Sequence, residues 1–396
     1  MIAKSMESYV TGSSAIRAMF EEGAKLAKIY GAENVYDFSL GNPNLNPPEE
    51  IKQAILDVLN EEEPTFVHGY MNNAGYEDVR AKIAEHLNKK FSATLKADNI
   101  LMTVGAAGGL NVIFKTLLDP GDEVIVFAPY FGEYRSYIAN YSGKLVTIPP
   151  NTETFQPNLE TLKGSITQKT KAVLINSPNN PTGVVYSEAT LKELAAILTE
   201  KEKEFGIDIY LVADEPYREL VYDGAEVPYV PHYFKNTIIG YSYSKSLSLP
   251  GDRIGYLVVP EEVADFENLM VAASTANRIM GFVNAPSLMQ RMVARCLDCS
   301  VDIEIYNRNR EALYNGLTDF GYECIKPEGS FYLFVKAPIE DDVAFCRVAK
   351  DYRILIVPGS AFGCPGYVRI VYCVAYDTII HALPQFKKLI EDIKNK

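Results

Sequence analysis

The sequence predicts an α/β fold, with a large unit built on a mostly parallel seven-stranded sheet flanked by helices and a smaller α+β unit beside it. Three observations carry this prediction. Short runs of branched and aromatic residues alternate with longer amphipathic stretches between residues 99 and 259. The interiors of these runs are apolar, as strands buried on both faces require, and the loops that follow open on glycine, polar or aromatic residues. After about residue 284 the texture changes to a long Arg- and Glu-rich helical stretch followed by shorter strand-like runs.

The elements follow in order. Ile16, Met19, Phe20, Ala24, Leu26 and Ala27 recur at near-helical spacing across 13–30, with Ser13 as the cap. The Gly/Pro-rich stretch Tyr36–Pro48, containing Gly41, is irregular. Helices are predicted over Pro48–Leu59 and Tyr76–Asn88, separated by a loop with His68, Tyr70 and Gly75. A strand over Asn99–Val104 ends at Gly105, and a helix follows over Leu110–Leu118. Further strands are Glu123–Ala128, Lys144–Ile148, Lys171–Asn176, Ile209–Ala213, Thr237–Gly240 and Tyr256–Val259, with helices near Glu133–Asn140 and over Glu188–Glu204. Ser287–Leu317 reads as one helix, or two with a slight break. Tyr322–Lys326, Ser330–Val335, Ile354–Val357 and Tyr367–Cys373 are strand-like. The division expected is an N-terminal segment 1–45 joining the small unit, a large unit 46–285 and a small C-terminal unit 286–396.

Composition excludes several functions. Hydrophobic content of 47% with 22% charged residues marks a folded, water-soluble chain. The net charge of −13 argues against a nucleic-acid surface, which wants clustered lysine and arginine. No run approaches the roughly 18–20 apolar residues that span a bilayer, and Met1-Ile-Ala-Lys lacks the pattern of a signal peptide. Six cysteines at irregular spacing fit a reducing cytoplasm. Cys296 and Cys299 form a CxxC in a helical pattern with no second pair, and His68, His86, His232 and His381 show no ligand spacing, so no metal site is expected. No G-x-G-x-x-G follows the first strand, which excludes a dinucleotide fold of that type.

In mostly parallel sheets ligands sit outside the carboxyl ends of the strands. Those ends here carry Gly105, Phe131, Asn180, Asp214, Tyr217 and Lys245. A lysine at the end of a buried strand can lose its proton and act as an amine nucleophile. Asp214, directly after an apolar strand, is a costly carboxylate to bury without a cationic partner. Gly105-Ala106-Ala107 opens a helix, whose free N–H groups and dipole suit a phosphate. Arg253, Ser242 and Ser244 lie where they can complete that site. Pyridoxal phosphate needs these same groups: an amine for its aldehyde, a carboxylate for its pyridine nitrogen, and N–H groups and cations for its phosphate.

The order Gly105-Ala-Ala, Asn180-Pro-Thr-Gly, Asp214-Glu-Pro-Tyr, Ser242-Tyr-Ser-Lys-Ser, Arg253-Ile-Gly and Tyr367-Val-Arg-Ile resembles the class I/II aminotransferases of fold type I, the aspartate aminotransferase superfamily, from Gly41 to Arg369. The resemblance implies pyridoxal 5'-phosphate as cofactor and transfer of an amino group between an L-amino acid and a 2-oxo acid. It makes Lys245 the Schiff-base lysine and proton shuttle, and Asp214 the partner of the pyridine nitrogen. Asn180 and Tyr217 bond the phenolic oxygen, and Phe131 stacks on the ring where many members have tryptophan. Gly105, Ala106, Ala107, Ser242, Ser244 and Arg253 hold the phosphate. The two alanines replace hydroxyl residues of many members, so binding there rests on backbone N–H groups. Arg369 clamps the substrate α-carboxylate, with Gly41 and Asn180 beside it. Tyr70 matches the tyrosine that completes the neighbouring subunit's site, which implies a homodimer. Arg278 has two readings, a ligand for a side-chain carboxylate or a surface residue. Two other activities share these residues: a carbon–sulfur β-lyase, and a non-catalytic cofactor-binding sensor module.

Overall fold

The computed structural model describes residues 2–11 and 15–395, so the Ser13 cap lies outside the described residues. The strands are β1 Tyr36–Asp37, β2 Ile100–Thr103, β3 Glu123–Phe127, β4 Lys144–Ile148, β5 Thr170–Asn176, β6 Tyr210–Asp214, β7 Thr237–Ser242, β8 Gly255–Val258, β9 Tyr332–Lys336, β10 Ile354–Leu355, β11 Val357–Pro358 and β12 Tyr367–Val371. Seven of them form one sheet in the order β2-β8-β7-β6-β5-β3-β4. Strands β4, β3, β5, β6 and β7 pair in parallel, whereas β8 runs antiparallel to both β7 and β2.

Because successive strand residues point to opposite faces, the main sheet feeds two cores. Ile125, Val173, Leu211 and Ile239 pack on one side, and Val124, Leu174, Val212 and Ile238 on the other. Both faces are covered, so the strands read as continuous apolar runs. A second, smaller assembly lies around β11-β12-β9, and β1 pairs in parallel with β10. Phe38, just after β1, shares its core with Phe331, Ile354, Ile370 and Phe386. The N-terminal chain is thereby packed against the C-terminal strands.

Several elements depart from the sequence expectation. The helix after β2 starts at Gly105 and runs to Leu117, so it takes in the whole glycine-rich stretch before Leu110. Helix Phe266–Ile279, absent from the sequence reading, packs against it. Of the two readings of 287–317, the structure has two helices, Ser287–Val293 and Ile303–Asp319, with a longer break than the slight one expected. Residues 294–302 leave the helix, and Asp302 restarts it by accepting from the Glu304 N–H at 3.0 Å. Cys296 and Cys299 fall in that break and not in a helix. Both are free thiols, and burial pushes Cys296 up to about 12. Only an isolated bridge, Cys324 to Val335, stands for the expected strand Tyr322–Lys326. Ile354–Val357 splits at Ile356 into β10 and β11, which belong to different sheets.

Candidate active site

The carboxyl ends of the parallel strands point into the space where the two assemblies meet. Asp214 closes β6 and Ser242 closes β7. Lys245 lies in a four-residue helical turn, Tyr243–Ser246, capped by the Ser242 hydroxyl, which accepts from Ser244 N–H at 3.2 Å. The reversed direction of β8 brings its beginning to this same edge, so Arg253, just before it, reaches the end of β2. The Arg253 guanidinium donates to Val104 O at 3.2 Å and to Pro250 O at 2.9 Å.

Lys245 Nζ donates to Gly41 O at 2.9 Å and sits 5.2 Å from the centre of the Phe331 ring. Burial pulls its ammonium down to about 8; nearby Arg369 and Arg253 add to this, against the opposing influence of Cys373. The lysine therefore gives up its proton far more readily than an ordinary lysine, as a nucleophilic amine must. Asp214 is buried. Its Oδ2 accepts from the Tyr134 hydroxyl at 2.5 Å, and its Oδ1 has no partner. Burial pushes this carboxyl up to about 7, against the lowering influence of Tyr134.

Arg369, on β12, is 2% exposed. It donates to Asn180 Oδ1 at 3.0 Å and to Ser39 O at 2.6 Å, and its Nε is unpartnered. Among the described residues no carboxylate lies within ion-pair distance of Arg369 or Lys245. The guanidinium is held between the rings of Tyr332 and Phe362, 4.7 and 4.8 Å from their centres. A buried cation left on neutral acceptors is costly and calls for an anion.

Asn180 is fixed by Asn176, whose Oδ1 accepts the Asn180 N–H at 2.7 Å and whose Nδ2 donates to Asp214 O at 2.8 Å. Tyr217 and Tyr332 share a hydroxyl–hydroxyl bond of 2.7 Å. Phe131 meets Tyr134 edge-on at 5.6 Å. Gly105 takes φ 76, and a Cβ there would come within 2.7 Å of an Arg253 nitrogen. Only glycine leaves room for backbone and guanidinium to approach so closely. Ala106 and Ala107 follow in the first helical turn, half-buried. Ser242 and Ser244 are buried with their hydroxyls bonded to each other at 2.8 Å.

One contact network thus joins Gly41, Asn180, Asp214, Tyr217, Lys245 and Arg369, with Gly105 and Arg253 at its edge. Tyr70 stands apart at 93% exposure on its loop. Arg278 is exposed in the last turn of helix Phe266–Ile279, and the adjacent Asn277 donates to Asn73 O on the Tyr70 loop at 3.1 Å. The helix end that carries Arg278 therefore adjoins the loop that carries Tyr70. The sequence reading missed Tyr134, Asn176, Phe331 and Tyr332. For Tyr134 there was a signal, its place one helical turn beyond Phe131.

Fold and site together define a known class. The family model of class I and II aminotransferases matches residues 33–383. The chain belongs to this pyridoxal-phosphate-dependent family and is an aminotransferase, working on amino acids and 2-oxo acids. A crystal structure of an amino transferase from Eubacterium rectale superposes with a TM-score of 0.97 at 47% identity, covering 99% of each chain. An aspartate aminotransferase of Thermotoga maritima is 33% identical over 93% of this chain and 94% of its own. A probable aspartate/prephenate aminotransferase of Aquifex aeolicus is 32% identical over 91% and 92%. No helix among the described residues is long and apolar enough to cross a membrane.

Proposed function

We propose that this chain binds pyridoxal 5'-phosphate between Lys245 and Asp214 and transfers the amino group of an L-amino acid to a 2-oxo acid. The observation that carries the substrate side is Arg369, buried and without a carboxylate partner. The unpartnered Asp214 Oδ1 and the cradle that Gly105 keeps open for Arg253 fit the cofactor's pyridine nitrogen and phosphate. When bound, the cofactor supplies an aldehyde for amines and a ring that accepts the electron pair left at the substrate Cα.

Lys245, pulled down toward neutrality, is the amine offered to that aldehyde. Once free, it takes the α-proton and returns it, a role suited to a base whose proton affinity lies near the working pH. Asp214 holds the proton of the pyridine nitrogen in place, itself held by Tyr134. Asn180 and Tyr217 would hold the ring oxygen of the bound cofactor. Phe131 would cover the ring, and backbone N–H groups of Gly105, Ala106 and Ala107 with Ser242, Ser244 and Arg253 would hold the phosphate. Arg369 fixes the α-carboxylate by paired charge-assisted hydrogen bonds. Gly41 keeps the backbone close, since a side chain there would strike Tyr332.

We further take the working form to be a cytoplasmic homodimer of a large unit 46–285 and a small unit formed by 1–45 and 286–396. The exposed Tyr70 supports the dimer, and six unbridged cysteines support a reducing compartment. Relatives named for aspartate make aspartate and glutamate the first donors to try.

The test is an absorbance spectrum of purified wild type beside Lys245→Ala, with a panel of amino acids. A yellow band in the wild type that converts to the pyridoxamine form with certain donors, and fails to do so in Lys245→Ala, supports the reading. No cofactor band, or release of pyruvate and ammonia without the pyridoxamine form, refutes it.

A further inference from the structure

Tyr332 touches three functional groups of the site at once, although it lies in a run that reads as an ordinary buried strand. It is 2% exposed at the start of β9. Its neighbour Phe334 pairs with Arg369 across β9 and β12, so Tyr332 and Arg369 stand diagonally on one face. The Tyr332 ring supports the guanidinium from 4.7 Å. Its hydroxyl lies 2.7 Å from that of Tyr217, and the two rings meet edge-on at 5.6 Å. The same ring abuts Gly41, whose carbonyl holds Lys245 Nζ.

Which phenol donates follows from their surroundings. Arg369 lies against the Tyr332 ring, and a cation there makes a phenol the better donor. Burial raises both phenols and Arg369 opposes this at each, but the guanidinium lies 4.7 Å from the centre of the Tyr332 ring, while the Asp214 carboxylate acts on Tyr217 in the other direction. Tyr332 therefore gives its proton to the bond, and Tyr217 is left to donate elsewhere. The other titratable groups facing the pair are Cys373, just after β12, and Asp214 from β6.

We propose that Tyr332 is a positioning residue of the aminotransferase site: its hydroxyl donates to Tyr217 and turns the Tyr217 proton toward the cofactor's ring oxygen, while its ring holds the Arg369 guanidinium in place. The proposal rests on the cofactor placement given above. It joins the carboxylate clamp and the phenol on the cofactor through one side chain, and hydrogen bonds in such a chain strengthen one another.

The experiment titrates the cofactor's absorbance between pH 5 and 10 in the holoenzymes of wild type, Tyr332→Phe, Tyr217→Phe and the double variant. It also measures KM and kcat for one amino-acid donor. Tyr332→Phe weakens the Tyr217 donor and is expected to raise the spectral midpoint by about half a pH unit, a part of one net hydrogen bond. KM for the donor stays within about twofold because the ring remains, and kcat falls severalfold. Tyr332→Leu removes the ring as well and raises KM about tenfold, the scale of a desolvated cation–π contact. Since Tyr332 acts through Tyr217, the double variant shifts no further than Tyr217→Phe alone. A normal wild-type band with an unmoved midpoint in Tyr332→Phe overturns this proposal and leaves the cofactor assignment standing. Additive shifts in the double variant overturn it equally, and a wild type without the band overturns both readings.

Discussion

Asp214 gives the strongest quantitative test, because its environment sets a pH dependence that the cofactor should erase. In the cofactor-free protein burial moves its carboxyl from 3.8 to about 7. The folded protein therefore keeps a proton over an interval in which the unfolded chain has lost it. Stability from this group is complete below about pH 4, falls as pH rises toward 7, and is level above. At about 1.4 kcal/mol per pH unit the whole loss is about 4 kcal/mol, of which about 3 kcal/mol falls between pH 5 and pH 8. Asp214→Asn keeps the shape and the Tyr134 contact but carries no charge at any of these pH values. Urea unfolding of cofactor-stripped wild type and Asp214→Asn at pH 5 and pH 8 should show the variant's advantage growing by about 3 kcal/mol at the higher pH. Added pyridoxal phosphate should abolish that growth in the wild type, since a pyridinium proton opposite Oδ1 keeps the carboxylate ionised across the range. A gap between the proteins that does not change with pH, or a wild-type slope that survives the cofactor, would refute the reasoning.

Two further substitutions probe the site's other ends. Arg369→Lys cannot reach Asn180 Oδ1 and Ser39 O together and loses the planar fork, so KM for amino acids should rise by roughly 10- to 100-fold, the worth of one charge-assisted hydrogen bond. Steady-state kinetics with one donor checks this, and an unchanged KM counts against Arg369 as the carboxylate clamp. Gly105→Ala places a Cβ against Arg253 at a left-handed backbone position, which costs about 1–2 kcal/mol and displaces the guanidinium. Fluorescence titration of the stripped protein should show affinity for pyridoxal phosphate lowered about tenfold or more.

The main sheet was legible because strands covered on both faces must be apolar throughout, as Val124–Val126 and Leu211–Ala213 are. Helix Phe266–Ile279 was not, because Val271 and Ile279, 69% and 59% exposed, blur its apolar stripe. The length of the break at 294–302 was hidden for the opposite reason: buried Cys296 and Val301 carry the apolar pattern straight through it. In the site, Lys245, Asp214 and Arg369 stand out because a charge beside an apolar strand is costly and therefore conspicuous. Tyr332 and Tyr134 do not, since a phenol in a strand or helix reads as core until its hydroxyl partner is seen. In a chain with 26 tyrosines nothing in the sequence separates Tyr332 from the rest, and only its place shortly after Phe131 hints at Tyr134.

The reversed strand also fixes when in the life of the chain the phosphate cradle can exist. Strands β3 to β7 are assembled by crossovers between segments near one another in sequence, and they already carry Asp214 and Lys245. Strand β2 joins the sheet only through β8, and the contact from Arg253 to Val104 spans 149 positions. Loop closure over that distance must be met before the contact returns anything. A nascent or partly folded chain whose sheet stops at β7 thus holds the reactive amine without the seat for the phosphate. The cofactor can latch the finished sheet by mass action, but it has no complete seat from which to template the sheet's assembly.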